Sequence, residues 1–213
     1  MQQTVDEIRL SYNQWSEIYD TNVNRTRDLE GTAIREVLKG LQVGCSLEVG
    51  CGTGKNTLFL QHISSSHLAV DLSEAMLQQA ISKVNAEHVH FLQADITLEW
   101  DFLPGKFDLV VFSLVLEHIE NLKDVFRKLG DFVSPQGHVY IGELHPFKQY
   151  AGSKARYEEN GVVKELVTYT HHVSDFTEAA QDAGFELTGL KEYFDQDDRQ
   201  TLPRILTLLF RKK

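Results

Sequence analysis

The chain has 213 residues, 42% of them hydrophobic, which is enough for one substantial core and short for two full domains. Its formal charge of −10 argues against a partner held by many phosphate contacts, so no nucleic-acid partner is expected. No apolar run is long enough to span a bilayer, and Met1 to Glu7 have neither the basic start nor the apolar core of a secretory signal; a cytoplasmic location and no membrane partner are the expectations. Cys45 and Cys51, the two cysteines, exclude a disulfide framework and form no C-x-x-C motif, and the nine histidines are scattered without ligand spacing, so no metal is expected.

Val5, Ile8, Tyr12, Trp15 and Tyr19 recur at near-helical spacing and predict an amphipathic helix over residues 4–19. A polar, turn-prone stretch from Asp20 to Asp28 follows. A second helix is expected from Asp28 to Leu41 through Leu29, Ala33, Ile34, Val37 and Leu38, stopping at Gly40 or Gly44. From Cys45 onward strand and helix signals alternate, the pattern of a doubly wound, mostly parallel α/β sheet. A strand over Cys45–Val49 leads to a helix over Asn56–Ile63, and a strand over His67–Val70 ends at Asp71. Ser73 reads as the cap of a helix whose Met76, Leu77, Ala80, Ile81 and Val84 form an apolar stripe. Strands follow over His88–Leu92 and Phe107–Phe112, then a helix from Asn121 and a strand over His138–Ile141.

After that strand the repetition breaks. Ser153–Glu159 and Val162–Tyr169 are joined through Asn160-Gly161, a strong hairpin signal, so a β-hairpin insertion is expected after the fifth strand. Ser174 then reads as the cap of a helix that stops at Gly184, and Phe185–Tyr193 and Leu202–Phe210 as two closing strands, for seven in the main sheet with the last antiparallel. The expected organisation is a single domain. Residues 1–43 form a helical cap, 44–145 the core, 146–172 the hairpin insertion, and 173–213 a helix and strand pair.

The most informative stretch runs from Leu47 to Thr57. A strand entering a glycine-rich turn and leaving as a helix offers backbone N–H groups and close approach to a ligand. A dinucleotide fingerprint fails, because Lys55 or Thr57 stands where its third glycine or alanine belongs. A phosphate-binding P-loop fails too: Lys55 precedes Asn56, and no glycine lies five positions before Gly54. What fits is Glu48-x-Gly50-x-Gly52-x-Gly54, which resembles motif I of the class I S-adenosylmethionine-dependent methyltransferases. Acids after the second and third strands, Asp71 and Asp95, extend the resemblance. So do Phe107–Ile119, similar to the family's strand-4 motif, and Ser134–Ile141, similar to its turn into strand 5. The similarity covers residues 45 to 145 and points to the small-molecule enzymes of the type 11/25 or UbiE-like group.

The resemblance implies a Rossmann-like fold, S-adenosylmethionine as cofactor, and a binding set of Glu48, Gly50, Cys51, Gly52, Gly54, Asp71, Leu72, Asp95, Ile96, Ser113 and Leu114. It implies that Asp71 accepts from the ribose hydroxyls, Asp95 from the adenine amino group, and that Glu48 orients the loop from below. No general base is forced. His118, Glu143 and His145 are the candidates, because they fall at the ends of the fourth and fifth strands, and histidine is suited to taking a proton near neutral pH. For the acceptor, Tyr12, Tyr19 and Arg25 in the cap, Arg156 in the insertion, and His118, His145 and His171 are the candidate contacts. Phe112-Ser113-Leu114-Val115 replaces the Asn/Asp-Pro-Pro-Tyr/Phe sequence of amino methylation of adenine or glutamine, and the chain is acidic, so a small-molecule acceptor is favoured. Arg25, Arg27, Lys148, Lys154 and Arg156 raise the further expectation of a carboxylate or phosphate on it. An RNA or protein methyltransferase and a non-catalytic S-adenosylmethionine-binding regulator are the alternatives. The sequence leaves monomer and homodimer both open.

Overall fold

The apolar runs of the chain are buried in the middle of a mixed sheet with helices on both sides. The computed structural model describes residues 5–159 and 162–213. Its strands are β1 (Val43–Val49), β2 (Ser64–Asp71), β3 (Val89–Gln93), β4 (Phe107–Ser113), β5 (Val133–Leu144), β6 (Arg156–Glu159), β7 (Val162–Glu165), β8 (Phe185–Tyr193) and β9 (Ile205–Lys212). Seven of them form one sheet in the order β3-β2-β1-β4-β5-β9-β8, while β6 and β7 pair as a separate antiparallel ribbon. Strands β1 to β5 are mutually parallel, and β9 runs antiparallel to both its neighbours. The order reverses between β1 and β4, and in open sheets of this kind ligands sit outside the carboxyl ends of the strands at that point.

The helices are α1 (Val5–Trp15), α2 (Arg25–Val37), α3 (Thr57–Leu60), α4 (Glu74–Lys83), α5 (Leu122–Phe132), α6 (Pro146–Tyr150) and α7 (Val173–Asp182). Alternation along β4 explains why both faces need cover. Val110 and Phe112 pack with Phe126 and Leu129 of α5 and Phe176 and Ala180 of α7, whereas Leu109 and Val111 meet Ile34, Leu38 and Leu60 on the other face. Each such fully buried side chain contributes roughly 1.5–3 kcal/mol. No helix among the described residues is long and apolar enough to cross a membrane.

Several boundaries differ from the sequence reading, each for a local reason. Helix α1 ends at Trp15, so Tyr19 lies in the following turn. Helix α2 begins earlier than Asp28, because the Asn24 side chain accepts from the Arg27 N–H at 3.0 Å. The helix after the glycine loop is only the short α3. Ile81 is 49% exposed and does not belong to the apolar stripe of α4. Strand β5 extends to Leu144 and leads directly into α6, which the sequence reading lacked; Pro146 occupies its first turn and His145 caps it, with Nδ1 accepting from the Phe147 N–H at 3.1 Å. His172 rather than Ser174 precedes α7, its N–H held by Asp175 Oδ2 at 2.7 Å. The insertion strands are shorter than expected, and the turn at Asn160-Gly161 lies outside the described residues.

Candidate functional site

The loop between β1 and α3 lies against the end of β2, where the N–H groups of Gly50 and Cys51 donate to the Val70 carbonyl at 2.8 and 3.0 Å. Its three glycines have different jobs. A Cβ on Gly50 would stand 2.1 Å from Val115 Cγ2, and one on Gly54 would stand 3.0 Å from Ala80 Cβ in α4. At Gly52 (φ +52°) the same position is open space, and its N–H donates to Asp71 Oδ2 at 2.7 Å. Gly50 and Gly52 line a cleft enclosing about 840 Å³, part of it open to solvent; Gly54 does not. Gly54 packs against α4, where a side chain would meet Ala80. The Cys51 thiol, pushed up by burial, packs with Ala69 and Leu77 behind the loop.

Glu48 is also outside the cleft wall. It is 2% exposed and lies under the loop, where its Oε2 accepts from Thr57 Oγ1 at 2.5 Å and meets His67 Nε2 at 3.2 Å. The acid therefore ties β1 to the start of α3. Asp71, Leu72, Asp95, Ile96, Ser113 and Leu114 do line the cleft. Asp71 accepts from the Ser73 N–H at 2.8 Å as well as from Gly52, and burial pushes its carboxyl up to about 6. Asp95 Oδ1 takes the N–H and hydroxyl of Thr97 at 2.8 and 2.6 Å, while Oδ2 takes no bond from the described residues. Ser113 Oγ accepts from Asn56 Nδ2 at 3.0 Å.

Leu114 sits at φ 56°, a left-handed conformation that costs of order 1–3 kcal/mol in a non-glycine residue and gathers at functional sites. Three bonds hold it. Its own N–H reaches the Gly142 carbonyl at 2.8 Å, and those of Val115 and Leu116 donate to Glu143 Oε1 at 2.9 and 2.8 Å.

Helix α1 covers the cleft. Asn13 Oδ1 accepts from Ser73 Oγ at 2.6 Å, and the Tyr12 hydroxyl pairs with His118 Nε2 at 2.8 Å. Tyr12, Tyr19 and Leu114 line this first cleft and also a second, wider one of about 1470 Å³, again partly open. Arg25, Lys154, Arg156, Arg204 and Glu117 lie on the second cleft's walls.

Three candidates from the sequence are not in either cleft. His145 is buried, with Nδ1 on the Phe147 N–H and Nε2 3.0 Å from Glu192, so both ring nitrogens are committed to structure. Glu143 faces the 114–116 backbone rather than an acceptor, and burial beside Glu117 pushes its carboxyl up to about 8. His171 Nε2 bonds the Ile119 carbonyl at 2.8 Å. Arg27 is likewise internal, its guanidinium holding the 19–22 turn through the Asn22 carbonyl at 3.0 Å. Other contributors went unrecognised. Lys128 of α5, buried, donates to the carbonyls of Ile96 and Thr97 at 3.3 and 3.1 Å and pins the loop carrying Asp95. Glu30 accepts from Asn56 Nδ2 at 2.9 Å and Tyr140 Oη at 3.1 Å; an acid in line with Ile34 and Val37 on an otherwise apolar helix face was its visible signal.

Comparison with known proteins agrees with this geometry. A family model described as a methyltransferase domain matches residues 47–141. An uncharacterized methyltransferase of Emericella nidulans is 25% identical over 242 residues, covering 93% of this chain and 82% of the relative. The ubiquinone biosynthesis O-methyltransferase of Ralstonia nicotianae is 28% identical over 154 residues, 67% of this chain and 60% of that enzyme. Among solved structures, the DhpI–SAM–HEP complex superposes with a TM-score of 0.76 at 22% identity, over 99% of both chains. The glycine loop at the carboxyl end of β1, the acids after β2 and β3, and the methyltransferase-domain match over residues 47–141 together support a class I S-adenosylmethionine-dependent methyltransferase.

Proposed function

We propose that this methyltransferase acts on a small-molecule acceptor seated in the second cleft, beneath α1 and beside the β6–β7 insertion. The observation that carries this reading is the shared wall: Tyr12, Tyr19 and Leu114 belong to both clefts, so a donor in one and an acceptor in the other meet there. The name of the Ralstonia relative, a ubiquinone biosynthesis O-methyltransferase, supports a small acceptor.

The first cleft fits S-adenosylmethionine. A carboxylate has about four lone-pair sites, and the Gly52 and Ser73 N–H groups use two of Asp71's, which leaves acceptors for ribose hydroxyls. Asp95 Oδ2 takes no hydrogen bond from the described residues and suits the adenine amino group, with Ile96 against the ring. The open space at Gly52 suits the methionine end. When bound, S-adenosylmethionine supplies a methyl group on a sulfonium, ready for in-line attack. The chain's own contribution is alignment. Leu114 is fixed between the clefts, and α1 covers the first of them. Burial favours the neutral ring of His118, and the bond from Nδ1–H to the Val167 carbonyl at 3.0 Å fixes its tautomer, so that Nε2, through the Tyr12 hydroxyl, can receive a proton from the acceptor.

Transfer of labelled methyl from S-adenosylmethionine to separate pools of small molecules, RNA and protein tests the reading. Label is expected in the small-molecule pool alone. Label in RNA or protein would overturn it, and no transfer despite cofactor binding would favour a regulatory protein.

A further inference from the structure

We propose that the second cleft recognises an anionic group, a carboxylate or a phosphate, on the acceptor, with Arg25 and Arg156 as its ligands. This rests on reading that cleft as the acceptor side.

The charge distribution is the first support. The chain as a whole carries −10, yet the second cleft is lined by Arg25, Lys154, Arg156 and Arg204 against a single carboxylate, Glu117. Burial pushes Glu117 up to about 7, so even that negative charge is only partly present at neutral pH. The cations are not equivalent. Arg204 binds both oxygens of Asp195 at 2.5 and 2.6 Å, and Lys154 reaches Glu165 at 3.4 Å. Arg25 and Arg156 form no ion pair among the described residues, although the chain has a surplus of acids. In a chain this acidic, two exposed arginines on one concavity with no ion pair among the described residues are free to meet an anion from outside.

The backbone adds to the same wall. Asn24, Arg25 and Thr26 line the cleft and form the start of α2, a helix of thirteen residues whose positive end favours anions within its first turn. Arg25 stands at that helix start and Arg156 at the start of β6, so the anion would bridge the segment after α1 to the insertion. Guanidinium forks match the planar oxygens of carboxylate and phosphate. An acceptor anchored there presents its other end to Tyr12, Tyr19 and Leu114, the boundary with the donor cleft.

The test is calorimetric titration of the full chain, saturated with S-adenosylhomocysteine, using inorganic phosphate and acetate as separate probes. Wild type is expected to bind at least one of them, with affinity that falls as sodium chloride is raised. Arg25→Ala and Arg156→Ala are each expected to weaken it about tenfold, the loss of one charge-assisted contact. Arg127→Ala, on α5 outside both clefts, should bind like wild type. Stronger binding of phosphate identifies a phosphoryl acceptor, and stronger binding of acetate a carboxylate. The proposal is overturned if neither anion binds wild type, or if both cleft variants bind as wild type does. Failure of S-adenosylhomocysteine to bind would instead count against the donor cleft, and the same titrations on unliganded protein would still decide the anion site.

Discussion

The phenol of Tyr12 donates to His118 Nε2 across 2.8 Å, joining the covering helix α1 to the turn after β4. The direction follows from the other ring nitrogen. The Val167 carbonyl can only accept, so Nδ1 carries the proton and Nε2 of the neutral ring is the acceptor. Burial lowers the His118 pKa below its usual 6.5. A histidine with a depressed pKa contributes stability above its unfolded value and loses it as pH falls through the folded one. Protection of α1 amides from hydrogen exchange, corrected for the intrinsic rate, is therefore expected to fall between pH 7.5 and 5.5. Tyr12→Phe should show reduced protection already at pH 7.5, and equal protection in both proteins would remove the pair as the latch.

Asp71 is expected to give cofactor binding a pH dependence. Its carboxyl is raised to about 6 in the free protein, and two ribose hydroxyls need the ionised form as acceptor. Affinity for S-adenosylhomocysteine is expected to drop as pH falls through about 6. Its contribution to folding has the opposite sign: a raised carboxyl pKa favours the fold below the unfolded value near 3.8, and this is lost as pH rises through 6. Asp71→Asn should flatten the binding profile at lower affinity, which calorimetry from pH 5 to 8 would read.

Glu143 is expected to act as a positioning residue. Its Oε1 serves two backbone N–H groups beneath the strained Leu114, and its buried Oε2 has no hydrogen-bond partner among the described residues. Since the carboxyl is raised to about 8, it is mostly neutral at pH 7, and Glu143→Gln keeps the acceptor. The wild type should lose stability as pH rises through 8, while the glutamine variant should not. Thermal unfolding at pH 7 and 9 measures this. Glu143→Ala, which orphans both N–H groups, should cost about 2–4 kcal/mol and lower turnover more than cofactor affinity.

Lys128 pins the loop that carries Asp95 through the Ile96 and Thr97 carbonyls and also pairs with Asp124 at 2.7 Å. Lys128→Met keeps the apolar stem and removes these bonds. It should weaken S-adenosylhomocysteine binding severalfold in a direct titration, and unchanged affinity would show that the loop holds itself.

The first cleft was legible in the sequence because its signals are local. A glycine run, an acid at each of two strand ends and a Ser73 cap each follow from residues close together in the chain. The second cleft was less so. Residues 139–144 of β5 are all buried in the middle of the sheet, so no polar alternation shows which face Glu143 and His145 take. In the structure Leu144 lines the second cleft, while its two neighbours are engaged elsewhere. Gly54 resembles its neighbours in sequence and is separated from them only by the proximity of Ala80. That Arg25 and Arg156 line one cleft depends on where the insertion folds, which no local pattern encodes.

The most direct test of the central claim is calorimetric titration of S-adenosylmethionine into wild type and Asp71→Ala at pH 7.5. The carboxylate at the end of β2 is expected to hold the ribose. Wild type should bind one equivalent, and the variant should bind at least about tenfold more weakly, the scale of a lost charged hydrogen bond. Equal affinity in a folded variant, or no binding by wild type, would contradict the assignment of this cleft to the methyl donor.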